Sequence, residues 1–193
     1  MEASHRPESD RSNLWIYLSG FATFSTLIAL LASPFLSKLL ANQTLTIQPS
    51  QSQSLASVQV QPTAIGALRL DILAQLSQNR WVTYEIQIRD AQNQIVASAI
   101  EDAWTESGSE DGESWFESDL KSQLDLKTQQ AESLTIAIHV LEHTDALGQA
   151  VAEPVSFNVS VVNGVSDHRF FWTGLVSTGA LTLIAIRLRT KPF

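Results

Sequence analysis

Two hydropathy patterns divide this chain. Long uncharged apolar runs lie near its two ends, and between them short segments switch between apolar and polar at every second residue. The first run, LWIYLSGFATFSTLIALLASPFL over 14–36, is free of charge for 23 residues, about 35 Å as a helix. A hydrocarbon core is about 30 Å thick, so this segment spans with some tilt. The second run, FFWTGLVSTGALTLIAI over 170–186, has 17 uncharged residues, about 25 Å as a helix. Trp15, Tyr17 and Trp172 stand at the span ends, where amphipathic rings anchor at the interface.

The middle of the chain follows the strand period. Val58 and Val60, then Leu68, Leu70 and Ile72, then Val82, Tyr84, Ile86 and Ile88, alternate with polar neighbours. The pattern returns in Leu134, Ile136, Ile138 and Val140, and in Val155, Phe157, Val159 and Val161. Turn signals separate these runs at 77–79, 90–93, Asp111-Gly112, Leu147-Gly148 and Asn163-Gly164. The fold class that follows is mainly β: an antiparallel sandwich of seven or eight strands inserted between two transmembrane helices. The stretch 117–130, ESDLKSQLDLKTQQ, fits either a strand or a short helix through Leu120 and Leu124. The expected partition is a tail over 1–13, a span over 14–36, a linker over 37–55 with its Gln/Ser-rich tether at 48–55, the sandwich over 56–163, a link over 164–169, a span over 170–186 and a tail over 187–193.

The charges flanking the spans set an orientation. Arg6 and Arg11 precede the first span, and Arg187, Arg189 and Lys191 follow the second, whereas only Lys38 and Arg169 lie close on the other side. The positive-inside rule therefore expects both termini in the cytoplasm and the central domain in the periplasm or a thylakoid lumen. The first run reads as a retained anchor. Its length exceeds the roughly 7–15 apolar residues of a signal peptide, and Leu39-Leu40-Ala41 puts Leu where cleavage prefers a small residue.

Composition narrows the function classes. The absence of Cys among 193 residues removes disulfides, thiolate nucleophiles and Cys-based zinc sites. An acidic, Lys-poor balance disfavours nucleic acid as a partner. The charge is also concentrated: EDAWTESGSEDGESWFESD over 101–119 holds eight of the 20 acidic residues and no Lys or Arg, so the net charge of −8 resides in this one stretch.

The candidate chemistry is sparse. His139-Val-Leu-Glu142-His143 matches the H-x-x-E-H metalloprotease pattern, which works on a helix. Here it ends a β-branched run, and an unbroken strand sends Glu142 to the opposite face from both histidines. No third ligand is patterned beyond Glu153 or Asp145, so no catalytic or metal site is expected. No EF-hand register fits the acidic stretch: with Gly112 at position 6, Ser107 and Ser118 occupy positions 1 and 12. An irregular Ca²⁺ site using Glu110, Asp111 and Glu113 stays open.

The plainer reading is a hairpin. A strand over 94–104 ends at Trp104, the loop TESGSEDGES turns, and Trp115 starts the return, with the two indoles packed on the sandwich or on each other. Carboxylates around aromatic anchors also describe a docking surface made by Trp104, Glu110, Asp111, Glu113, Trp115 and Glu117. In the spans, Ala22, Ser25 and Ala29 in the first and Gly174, Thr178 and Thr182 in the second form small-residue stripes for helix packing.

The run NRWVTYEIQIRDAQNQIVASAIEDAWTESG over 79–108, followed by DGESWFESD, resembles the extracytoplasmic domain of uncharacterised two-pass membrane proteins of cyanobacteria. That resemblance implies a thylakoid or plasma membrane setting and brings no site residues. The functional expectation is a non-catalytic accessory or structural protein without a cofactor. Its partners are the lipid bilayer and another membrane protein, homo-oligomerisation stays open, and a Ca²⁺- or carbohydrate-binding module is the alternative.

Overall fold

A computed structural model describes residues 8–63 and 66–189. The flanking residues Arg6 and Lys191, on which the expected orientation partly rests, lie outside the described residues. The chain divides into a helix pair and a compact β unit, Ser37–Val165.

The helices are α1 (Glu8–Leu36) and α2 (His168–Arg189). Within them, Leu14–Leu36 and His168–Arg187 are long and apolar enough to cross a membrane. Hydroxyls mark where the two helices meet. Ser33 Oγ lies 2.9 Å from His168 Nε2, and the Thr23 and Thr182 hydroxyls lie 3.4 Å apart. Tyr17, Phe21, Phe24, Ile28 and Leu31 point away from the pair.

The β unit contains β1 (Lys38–Ile47), β2 (Ser52–Ser54), β3 (Val58–Val60), β4 (Ala67–Gln75), β5 (Arg80–Arg89), β6 (Ile95–Glu110), β7 (Glu113–Asp119), β8 (Lys121–Leu126), β9 (Glu132–Asp145) and β10 (Val155–Val165). Eight of these exceed three residues, and all the pairings are antiparallel. One sheet runs β1-β10-β4-β8; the other runs β2-β9-β5-β6-β7, with β3 also on β9. This is the expected mainly β sandwich.

Its core is built by the alternation read from the sequence. Leu68, Leu70 and Ile72 on β4 and Phe157, Val159 and Val161 on β10 form one cluster with Tyr84, Ile86 and Ile88 on β5 and Ile136, Ile138 and Val140 on β9. The Tyr84 and Phe157 rings meet at a centroid distance of 4.8 Å with a 54° tilt, a geometry that aligns ring edge with ring face. The Tyr84 hydroxyl reaches Ser122 Oγ at 2.7 Å, satisfying its one polar group inside the core.

Two expectations change here, and one open alternative is settled. The segment 37–55 is no linker: β1 pairs with β10 from Lys38 to Ile47, burying Leu45 and Ile47, and β2 pairs with β9. Within the stretch 117–130 the open alternative resolves to strand, residues 117–119 ending β7 and β8 pairing with β4 through Leu126↔Leu68 and Leu124↔Leu70, while 127–130 lie outside any strand. In β9 the register shifts between Val140 and Glu142 as they face Tyr84 and Thr83, leaving Leu141 as a bulge. One extra residue inverts the faces that follow. Glu142 therefore shares a face with His139, and His143 turns inward opposite Val82, where it is 5% exposed.

Candidate functional site

The acidic stretch folds as a projecting β-arm. The Asp111-Gly112 turn has φ of 54° and 86°, and two positive values in a two-residue turn make a type I′ hairpin. Register then runs Glu110↔Glu113, Ser109↔Ser114, Gly108↔Trp115, Ser107↔Phe116, Glu106↔Glu117, Thr105↔Ser118 and Trp104↔Asp119. Pairing of β6 with β5 stops at Arg80↔Thr105. Beyond that point residues 106–110 and 113–117 form a two-stranded ribbon, about 17 Å of strand past the end of β5. The expected loop over TESGSEDGES is thus strand on both sides of a two-residue turn.

The base of the arm is tied to the chain before β5. Asn79, at φ 57°, accepts hydrogen bonds from the Ser107 N–H at 2.8 Å and from Ser107 Oγ at 3.2 Å. The Thr105 hydroxyl donates to the Ser77 carbonyl at 2.6 Å and accepts from the Arg80 N–H at 3.3 Å.

Strand alternation sorts the side chains. Ala103 and Thr105 are buried toward the core, so Asp102, Trp104, Glu106, Gly108 and Glu110 face outward. Their partners Glu113, Trp115, Glu117 and Asp119 share that face. Six of the eight carboxylates of 101–119 therefore line one surface, with Glu101 on the inner side and Asp111 in the turn. The face is a ladder: Trp104–Asp119, Glu106–Glu117, Gly108–Trp115, Glu110–Glu113. Two of its rungs set like charges directly opposite, where Cβ atoms approach to about 5 Å. Neither β6 nor β7 carries a Lys or Arg.

The tryptophans do not pair with each other. Trp104 lies opposite Trp81 of β5. The Trp115 indole covers Gly108, where a Cβ would come within 2.5 Å of Cζ2 and 2.9 Å of Nε1. Trp115 remains 38% exposed, and Phe116, on the other face of the ribbon, 55%. Trp81, Gly108, Phe116 and Asn79 thus belong to the site although the hydropathy pattern does not mark them. Only a register would have revealed the first two.

The other candidates are dispersed. His139 lies opposite Glu85 on the outward face, while His143 Nδ1 hydrogen-bonds to the Glu153 backbone carbonyl at 3.0 Å, inside. Asp145 accepts from the Leu147 and Gln149 N–H groups at 2.9 Å each. These bonds, with that of Gln149 the stronger, hold its carboxyl below the usual range. Among the described residues no group of three or more His, Asp or Glu is placed to hold a metal.

In the helix pair, Ala22, Ala29, Gly174, Thr178 and Thr182 are partly covered and Ser25 faces outward. A Cβ on Gly174 would meet Thr26 Cγ2 at an ordinary 3.5 Å, so close approach does not require glycine there. On the outer face of the four-stranded sheet, Asn42, Asp71, Lys121, Gln123, Asn158 and Ser160 line an open depression of about 560 Å³. Burial pushes the Asp71 carboxyl up, and Arg69 partly counters it.

No protein-family model and no curated protein matches the chain. Three solved structures of infectious bursal disease virus align with about two thirds of it. The VP2 subviral particle shows 14% identity and a TM-score of 0.35 over 65% of this chain and 31% of that one. The Gx strain structure gives 14% and 0.36 over 65% and 30%, and the Gt strain structure 12% and 0.35 over 66% and 32%. The chain spans about a third of the length of these proteins.

Proposed function

We propose that this chain is a non-catalytic, membrane-anchored accessory protein whose β-sandwich docks on a partner in a membrane complex through the β6–β7 arm. The proposed setting is a plasma or thylakoid membrane, with both termini cytoplasmic and the sandwich in the periplasm or lumen. The observation that carries this reading is the ladder of opposed carboxylates with the exposed Trp115 between its two like-charge rungs. Like charges placed opposite each other weaken a hairpin, and a two-stranded ribbon is marginal in isolation. Such an arrangement is disfavoured on stability alone, and a positively charged surface laid over it removes the repulsion. Trp115 supplies on this face the apolar anchor that interfaces favour, and Phe116 offers another on the opposite face of the ribbon.

The helix pair serves as an anchor. Neither apolar run holds an ionisable residue in its interior, which disfavours a proton relay or charged pathway.

Native electrophoresis of mildly solubilised membranes carrying a tagged copy tests the reading. Wild type is expected to migrate with a larger assembly, and Trp115→Ala combined with Glu106→Gln and Glu117→Gln to release it. Migration of wild type near its own mass would sink the proposal. It would favour instead the second reading, a carbohydrate-binding module, for which the amide-, hydroxyl- and carboxylate-lined depression around Asp71 is the supporting observation. A Ca²⁺ module is less well supported, since the arm's carboxylates stand in opposed pairs rather than around one point.

A further inference from the structure

We propose that the free edge of β7 takes up a basic, extended polypeptide segment as an added strand. This rests on the docking reading and specifies its mode and the chemistry of its partner. Among the described elements β7 pairs only with β6, and all seven of its residues are exposed. Its outer edge therefore presents unpaired backbone groups.

Which groups these are follows from the hairpin. In a two-residue turn the flanking pair, Glu110↔Glu113, exchanges both backbone bonds, and successive pairs alternate between bonded and open. The open pairs are then Ser109↔Ser114, Ser107↔Phe116 and Thr105↔Ser118. The Ser107 N–H agrees: it points away from β7 and donates to Asn79 Oδ1 at 2.8 Å. Ser114, Phe116 and Ser118 thus turn their N–H and C=O groups outward, three rungs in register for another strand.

Edge strands are ordinarily guarded by charged side chains, Lys above all, by Pro or by a bulge. β7 has no Lys or Pro, and its register is unbroken. What it has is charge of one sign. An added strand places alternate side chains on the face of Glu113, Trp115, Glu117 and Asp119. A second copy of this chain would bring carboxylates there, and an acidic partner would do the same. A segment with Lys or Arg at every second position meets carboxylates, and one cation lies over the Trp115 ring. Its intervening residues lie beside Ser114, Phe116 and Ser118, where small or apolar groups fit. Backbone bonds supply affinity in strand addition, and alternate side chains supply selectivity.

The test uses the full chain in uncharged detergent and a labelled alternating Lys-Thr peptide at low salt, read by fluorescence anisotropy. Binding is expected, and an alternating Glu-Thr peptide is expected to fail. Methylating the peptide backbone nitrogens on one alternate set is expected to weaken binding about tenfold or more, while methylating the other set leaves it unchanged, because only one edge faces β7. Ser118→Pro removes an outward donor without removing a β6–β7 bond and is expected to weaken binding to a similar extent. Equal tolerance of both methylated sets, with Lys-Thr binding retained, would overturn strand addition and leave face-on docking intact. Failure of the Lys-Thr peptide, or equal binding of the Glu-Thr peptide, would overturn both. Self-association abolished by Ser118→Pro would make a second copy the occupant and overturn the basic partner.

Discussion

At the residue scale, Gly108 illustrates how a small side chain is required by its neighbour rather than by its backbone. It is not among the residues with positive φ, so alanine there suits the backbone and would ordinarily stabilise a strand by roughly 0.5–1 kcal/mol. The Trp115 ring reverses the sign. With a Cβ 2.5 Å from Cζ2 the indole has to swing off the strand, and the arm loses the cover that an aromatic gives to a glycine facing it across strands. Gly108→Ala is therefore expected to cost the arm about 1 kcal/mol, read as faster amide exchange over 106–117 with exchange in β4, β5 and β10 unchanged. Protection equal to wild type would show that the indole does not hold the arm. His143 shows a different residue-scale effect. Its motif is visible in the sequence, but one bulged residue, Leu141, takes His143 to the opposite face from His139 and Glu142, and a bulge leaves no mark in a hydropathy pattern.

At the element scale, legibility follows burial. Strands β4, β5, β9 and β10 each put apolar residues at every second position against one core, so their period stands out. The arm escapes that reading because neither of its faces is buried. ESGSE over 106–110 is strand by hydrogen bonding and loop by composition. Strand β1 escapes for another reason: LLANQT begins three residues after the end of the apolar helix α1, and only Leu45 and Ile47 reach the core fully. The spacing of Leu120, just before β8, and of Leu124 and Leu126 within it suits a helical as well as a strand period in so short a run.

The arm's charge is itself an element-scale property, because it resides in rungs rather than in single residues. Glu106→Gln with Glu117→Gln removes one like-charge rung, an interaction of a few tenths to about 1 kcal/mol. The variant arm is expected to exchange more slowly than wild type at low salt. The difference should narrow toward 1 M salt, where the screening length falls to about 3 Å. An arm no slower to exchange at low salt would mean the rung carries no repulsion for a partner to relieve.

At the scale of the whole molecule, the acidic arm and the membrane orientation are separate matters. About 130 residues lie between the spans, and segments of that length translocate largely regardless of their charge, so eight carboxylates in the arm contribute little to sidedness. The proposed orientation therefore rests on the basic residues that flank the two apolar runs. In sequence Arg187, Arg189 and Lys191 follow the second apolar run, while Lys38 and Arg169 are the basic residues close on the other side. Neutral replacement of all three is then expected to give a mixture of orientations for the second span. A fluorescent protein at the C-terminus, bright only in the cytoplasm, and alkaline phosphatase there, active only outside it, report the two populations. Wild type is expected to give fluorescence without phosphatase activity, and the neutral variant some of each. Phosphatase activity from the wild-type C-terminus would place that end outside and invert the proposed orientation. The arm would then face cytoplasmic partners, and the chemistry of its docking surface would stand while the compartment of its partner changed.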